Sequence, residues 1–165
     1  MVAQVVVGVG NPIMCDDGLG RHAVERLPPD VPAEVCFAGT TAFLALEAMS
    51  GMDRAVVVDA INVPGADPGS IHRYPLSSAR NREPPDGAVP DPEPPEVLMH
   101  DFSFGDALEI GELAYELPEE IVLLGLVPER VEAGDALSEV VERALPALVE
   151  RVLAELDRPL PQPIA

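Results

Sequence analysis

Three short, nearly uninterrupted apolar runs most constrain what this chain can fold into. Gln4–Val9 (QVVVGV), Ala55–Ile61 (AVVVDAI) and Glu120–Val127 (EIVLLGLV) are built from Val, Ile and Leu. A strand with one wet face alternates apolar and polar residues. A blunt run belongs to a strand covered on both faces, the usual state of a parallel sheet. Two weaker strand signals complete a set of five. Ala33–Ala38 (AEVCFA) is one, and Ser70–Pro75 (SIHRYP) is short and alternating, which suits an edge.

Helical patterns separate the strands. Asp17–Leu27 places Leu19, Ala23, Val24 and Leu27 on one face, with Asp16 or Asp17 positioned to cap its start and Pro28-Pro29 to stop it. Gly39-Thr40-Thr41 opens a second helix that runs to Met49, and His100–Leu113 reads as a third. From Asp135, residues Leu137, Val141, Leu145, Leu148, Val152 and Leu156 recur at helical spacing, interrupted by Pro146, which should bend the helix or weaken it. The β-α alternation predicts a mostly parallel sheet with helices on both faces. The expected organisation is one domain over residues 1–157, with a Pro-rich surface loop at 77–97 and a tail at 158–165.

Charge narrows the choice of partner. Acidic residues number 29 against 10 basic ones, none of them Lys, for a net charge of −19. A phosphate backbone or an anionic bilayer surface calls for the opposite sign, so neither nucleic acid nor membrane is expected as a partner. The first fifteen residues carry no basic side chain and are broken by Gly8, Gly10 and Pro12, unlike a secretory signal or a membrane span. Cys15 and Cys36 are too few for a disulfide framework, and a cytoplasmic setting is expected.

In a parallel α/β sheet the working groups gather beyond the C-terminal strand ends. Asp16-Asp17 follows the first strand, Asp59 closes the third, and His100 ends the long loop. Two carboxylates and an imidazole suit a borderline divalent ion such as nickel or zinc. Other chemistries fit less well. Gly8-Val9-Gly10 begins like a dinucleotide fingerprint, but Ile13 stands where the third glycine belongs, no acid follows the second strand, and no P-loop exists, so no nucleotide cofactor is expected. Cys15 near a helix start could be a nucleophile, yet Asp16 and Asp17 beside it disfavour a thiolate.

Gly8-Val9-Gly10-Asn11 with Asp16-Asp17-Gly18-Leu19-Gly20, then Gly39-Thr40, Val58-Asp59-Ala60 and Met99-His100-Asp101, closely resemble the hydrogenase maturation endopeptidases over almost the whole chain. The resemblance implies a three-layer α/β/α sandwich around a five-stranded, mostly parallel sheet with one short edge strand. It implies an endopeptidase that removes a short C-terminal extension from the nickel-loaded precursor of a NiFe hydrogenase large subunit. The nickel would arrive with the substrate, and Asp17, Asp59 and His100 match the positions held to contact it. Asp16 is a candidate general base by adjacency. Cys15 departs from the family pattern, where a small residue is frequent. The alternatives are a non-catalytic metal-sensing or chaperone module docking on the same subunit, and a cysteine hydrolase using Cys15.

Overall fold

The computed structural model describes residues 1–76, 98–99 and 102–162. The expected loop at 77–97 and His100 lie outside these. In chain order the elements are β1 (Gln4–Val9), a 3-10 turn (Cys15–Gly18), α1 (Leu19–Glu25), β2 (Glu34–Gly39), α2 (Ala42–Met49), β3 (Arg54–Ala60), β4 (Ile71–Pro75), β5 (Leu98–Met99), β6 (Phe102–Ser103), α3 (Phe104–Ala114), β7 (Glu120–Leu126) and α4 (Glu139–Leu156).

The main sheet has the order β2-β1-β3-β7-β4, and β5 and β6 form a separate antiparallel pair. β2, β1, β3 and β7 run parallel, and β4 closes one edge antiparallel to β7. The blunt apolar runs are thus the three central strands, and period two divides their side chains between two cores. Val5, Val7, Ala55, Val57, Ile121 and Leu123 face Ala45, Leu46 and Met49 of α2 and Ala107 and Leu108 of α3. Val6, Val56, Val58, Val122 and Leu124 face Leu19 and Ala23 of α1 and Val141, Leu145 and Leu148 of α4. Two helices on each face make the expected α/β/α sandwich.

Several helix limits differ from the expected ones. The first helix begins at Leu19 rather than Asp17, and no side chain caps it. Both aspartates are drawn into other bonds, described below. The last helix begins at Glu139 rather than Asp135, because Ser138 Oγ accepts the Val141 N–H and ends the preceding loop. Pro146 lies within an unbroken α4, on its exposed side. The third helix starts at Phe104, because residues 102–103 pair as a strand instead.

Missing side chains seat α1 on the sheet. A Cβ on Gly20 would stand 2.4 Å from the Val9 carbonyl oxygen and 2.7 Å from that of Val58, and one on Gly8 would stand 2.6 Å from the Gly20 oxygen. The helix therefore rests backbone to backbone on β1 and β3. At the opposite end of the sheet, Arg54 is only 1% exposed. Its guanidinium donates to Glu120 Oε2 (2.6 Å), Gln4 Oε1 (2.8 Å) and the carbonyls of Leu156 (3.3 Å) and Arg158 (2.8 Å). That buried charge is paired and nearly saturated with acceptors, the condition under which burial is tolerable.

The Gly20 contact can be tested. Gly→Ala within a helix normally gains about 1 kcal/mol. At Gly20 the backbone clash outweighs that gain, and Gly20→Ala should lower the unfolding free energy by about 2 kcal/mol, read from urea denaturation.

Candidate active site

The site forms where β1 and β3 end. Gly10 leaves β1 at φ +127°, a value that favours glycine, and its N–H reaches the Gly39 carbonyl (2.9 Å) to tie the ends of β1 and β2 together. A tight turn follows, with Met14 N–H on the Asn11 carbonyl (3.2 Å) and Asp17 N–H on the Met14 carbonyl (3.1 Å). The 3-10 turn then sends its two carboxylates to different places.

Asp16 is fully buried. Its Oδ2 accepts the N–H groups of Glu129 (2.9 Å) and Arg130 (2.8 Å) and the Ser138 hydroxyl (2.7 Å), and its Oδ1 accepts the Ser138 N–H (2.7 Å). Burial pushes its pKa up, but the bonds from Ser138, Arg130 and Glu129 together outweigh burial and hold the carboxyl below its ordinary range. Asp16 therefore bolts the loop between β7 and α4 onto the turn that carries Asp17. Asp16 is the expected candidate general base, but a carboxylate with a lowered pKa and its lone pairs committed to the fold is a poor proton acceptor.

Asp17 is half-buried and its Oδ2 accepts the Asn11 N–H (2.9 Å). Asp59 is 5% exposed, and its Oδ1 accepts the Ala60 N–H (2.7 Å). Gly10 lies between them: a Cβ there would stand 2.0 Å from the Asp17 carbonyl oxygen and 3.2 Å from Asp59 Oδ1. The glycine lets the turn bearing Asp17 close onto the end of β3. Burial, and then the negative charge of Asp17, push the Asp59 pKa well up, against the opposing bond from Ala60. Among the described residues neither carboxylate forms an ion pair. Two neighbouring carboxylates without a counter-ion among the described residues fit an added cation.

The structure thus brings Asp17 and Asp59 together, while the position of His100 lies outside the described residues. No group of three His, Cys, Asp or Glu side chains suited to a metal is found among the described residues. Cys15 is buried, adopts φ +47°, and sits against Gly134, where a Cβ would lie 2.8 Å from its Sγ. A thiol packed under the turn is closed to a substrate. His72 of the edge strand β4 is half-buried, with Nε2 3.0 Å from Ser70 Oγ. Sequence reasoning missed the loop after β7 as part of the site. It acts mostly through backbone N–H groups, which leave no side-chain signature; only the helix-capping Ser138 offered one.

An acidic strand-end site on a doubly covered parallel sheet marks the class as one whose chemistry sits in loops carried by a rigid α/β frame. The family model described as hydrogenase maturation protease (HycI) matches residues 23–155. The chain belongs to the hydrogenase maturation protease family. It is 29% identical over 157 residues to the hydrogenase 2 maturation protease of Escherichia coli K12, covering 92% of this chain and 89% of that protein. It is 28% identical to the hydrogenase expression/formation protein HoxM of Cupriavidus necator, covering 89% and 70% respectively. The solved structure of the hydrogenase maturating endopeptidase HybD from Escherichia coli superposes with a TM-score of 0.72 at 26% identity, covering 93% of this chain and 91% of that one.

The two buried aspartates should respond to pH in opposite ways. The native pKa of Asp59 lies above the ordinary 3.8, so the native state keeps a proton that the unfolded chain releases. Its contribution to stability is full in acid and fades as pH rises from that range through the raised native value. In metal-free protein at pH 7, Asp59→Asn should therefore raise the melting temperature by about 3 °C, the equivalent of about 1 kcal/mol in a domain of this size. Asp16 has the opposite sign: its stabilisation is present above the unfolded pKa and is lost as pH falls through the lowered native one. Asp16→Asn places an amide NH2 among donors and should cost about 3 kcal/mol at pH 7, measured by chemical denaturation.

Proposed function

We propose that this chain is an endopeptidase that removes a short C-terminal extension from the precursor of a NiFe hydrogenase large subunit, and that it recognises the nickel already bound there. The observation that carries this reading is the Asp17–Asp59 pair, two carboxylates at the strand ends with no cation beside them among the described residues. Membership of the maturation protease family supports it.

In this reading the nickel is part of the substrate, held in the precursor by cysteine thiolates. Asp17 and Asp59 offer carboxylate oxygens to it and His100 an imidazole, a mixed oxygen and nitrogen set that suits a borderline divalent ion. Docking on the ion fixes the neighbouring peptide bond beside a Lewis acid, which polarises a carbonyl or activates a water. A precursor without nickel lacks that anchor and is spared. The buried Cys15 takes no part. Cys15 and Cys36 are both free thiols, and the proposed compartment is the cytoplasm. No helix among the described residues is long and apolar enough to cross a membrane.

Processing is read as the mass lost by a purified large-subunit precursor, with and without nickel. Asp17→Asn, Asp59→Asn and His100→Ala should each slow cleavage by about a hundredfold or more, as expected when a transition-state contact is removed. Cys15→Ser should cleave at close to the wild-type rate. Equal cleavage of nickel-free and nickel-loaded precursor would overturn nickel recognition.

A further inference from the structure

Three exposed apolar side chains stand on the segments that follow β1, β2 and β7 at the end of the sheet that carries the acidic pair. Ile13, in the turn after β1, is 66% exposed; Phe43, in the first turn of α2, is 55% exposed; and Val131, in the loop after β7, is 54% exposed. The three segments are laced together. Gly10 N–H on the Gly39 carbonyl joins the Ile13 turn to the end of β2 (2.9 Å), and Gly134 N–H on the Ile13 carbonyl joins it to the loop after β7 (2.9 Å). Asp16 N–H on the Arg130 carbonyl fixes the residue preceding Val131 (3.0 Å). The Ile13 backbone is held on both sides, since its N–H also donates to Asn11 Oδ1 (3.2 Å). These side chains are therefore displayed on backbone already ordered, and an exposed apolar anchor on rigid backbone loses little entropy when a partner covers it.

Resting on the function proposed above, we infer that Ile13, Phe43 and Val131 form an apolar collar that grips the precursor polypeptide on either side of the segment delivered to Asp17 and Asp59. The occupant is a peptide with apolar side chains in a positively charged setting. Its apolar character follows from the collar, and its charge from complementarity to a chain whose net charge is −19. Ile13 stands in the turn that leads to Asp17, and Val131 follows Arg130, whose carbonyl accepts the Asp16 N–H, so two of the three side chains sit on the backbone that carries the site. Leu113 of α3 is more exposed still, at 86%. It lies close to Glu116, whose carbonyl accepts the Gly51 N–H at the end of the sheet away from the site, and so serves as a control for apolar exposure alone.

The test uses the full chain and a purified nickel-loaded precursor. Binding and cleavage are measured for wild type, the triple variant Ile13→Ser, Phe43→Ser, Val131→Ser, and Leu113→Ser. The triple variant should bind the precursor about tenfold more weakly, the value of covering roughly one apolar side chain. Its KM should rise while kcat stays within about twofold, because uniform binding has been removed. Leu113→Ser should match wild type in both. Undiminished binding by the triple variant overturns the collar. So does a concentration-dependent dimer of wild type that the triple variant abolishes, since a second copy would then be the occupant. If wild type binds without cleaving and the triple variant binds more weakly, the collar stands and the peptidase reading falls. If wild type neither binds nor cleaves, both fall.

Discussion

The carboxylate of Asp16 is the joint on which the working end of this molecule depends. Two loops far apart in sequence, the turn after β1 and the loop after β7, meet at the rim. One buried side chain collects three backbone N–H groups and a hydroxyl and so makes the two loops a single body. Hydrogen bonds to a charged acceptor are individually stronger than neutral ones, which is why a single residue suffices. The adjacent Asp17 inherits its position from this arrangement. The division of labour inside the Asp16-Asp17 dipeptide is therefore complete: one carboxylate faces inward and holds, and its neighbour faces the end of β3.

Packing and electrostatics are opposed at that end. Gly8, Gly10 and Gly20 let backbone approach backbone, and this closeness forces Asp17 toward a buried Asp59. The fold thus spends part of its packing energy on holding like charges together. Groups arranged at the expense of native stability are characteristic of sites that await a ligand. Neither half of the arrangement makes sense alone. Looser glycine contacts would relieve the repulsion, and a salt bridge to Asp59 would remove the attraction for a cation.

Much of this was legible in the order of residues, for identifiable reasons. The central strands declared themselves because burial on both faces demands unbroken Val, Ile and Leu, and β4 declared itself by alternation and its edge position. The convergence of Asp17 and Asp59 followed from the rule that parallel strands point their ends at one rim. The start of α1 was not legible. Capping chemistry predicts Asp16 or Asp17 at a helix start, and only tertiary structure reveals donors more than a hundred residues away competing for the same oxygens. The loop after β7 was hidden for a related reason, since it contributes peptide N–H groups that any sequence possesses. Cys15 looked reactive beside a predicted helix terminus, and its burial against Gly134 is a packing fact with no local signature.

Arg54 carries a consequence for how the chain must be made. Its guanidinium waits at the start of the third strand for the carbonyls of Leu156 and Arg158, separated from it by 102 and 104 residues. While the protein is emerging from a ribosome, those acceptors do not yet exist outside the exit tunnel. Until then the guanidinium can be met only by Gln4 and Glu120, and the remaining two acceptors arrive with α4. The foot of the central sheet therefore reaches its full set of hydrogen bonds only when α4 has docked.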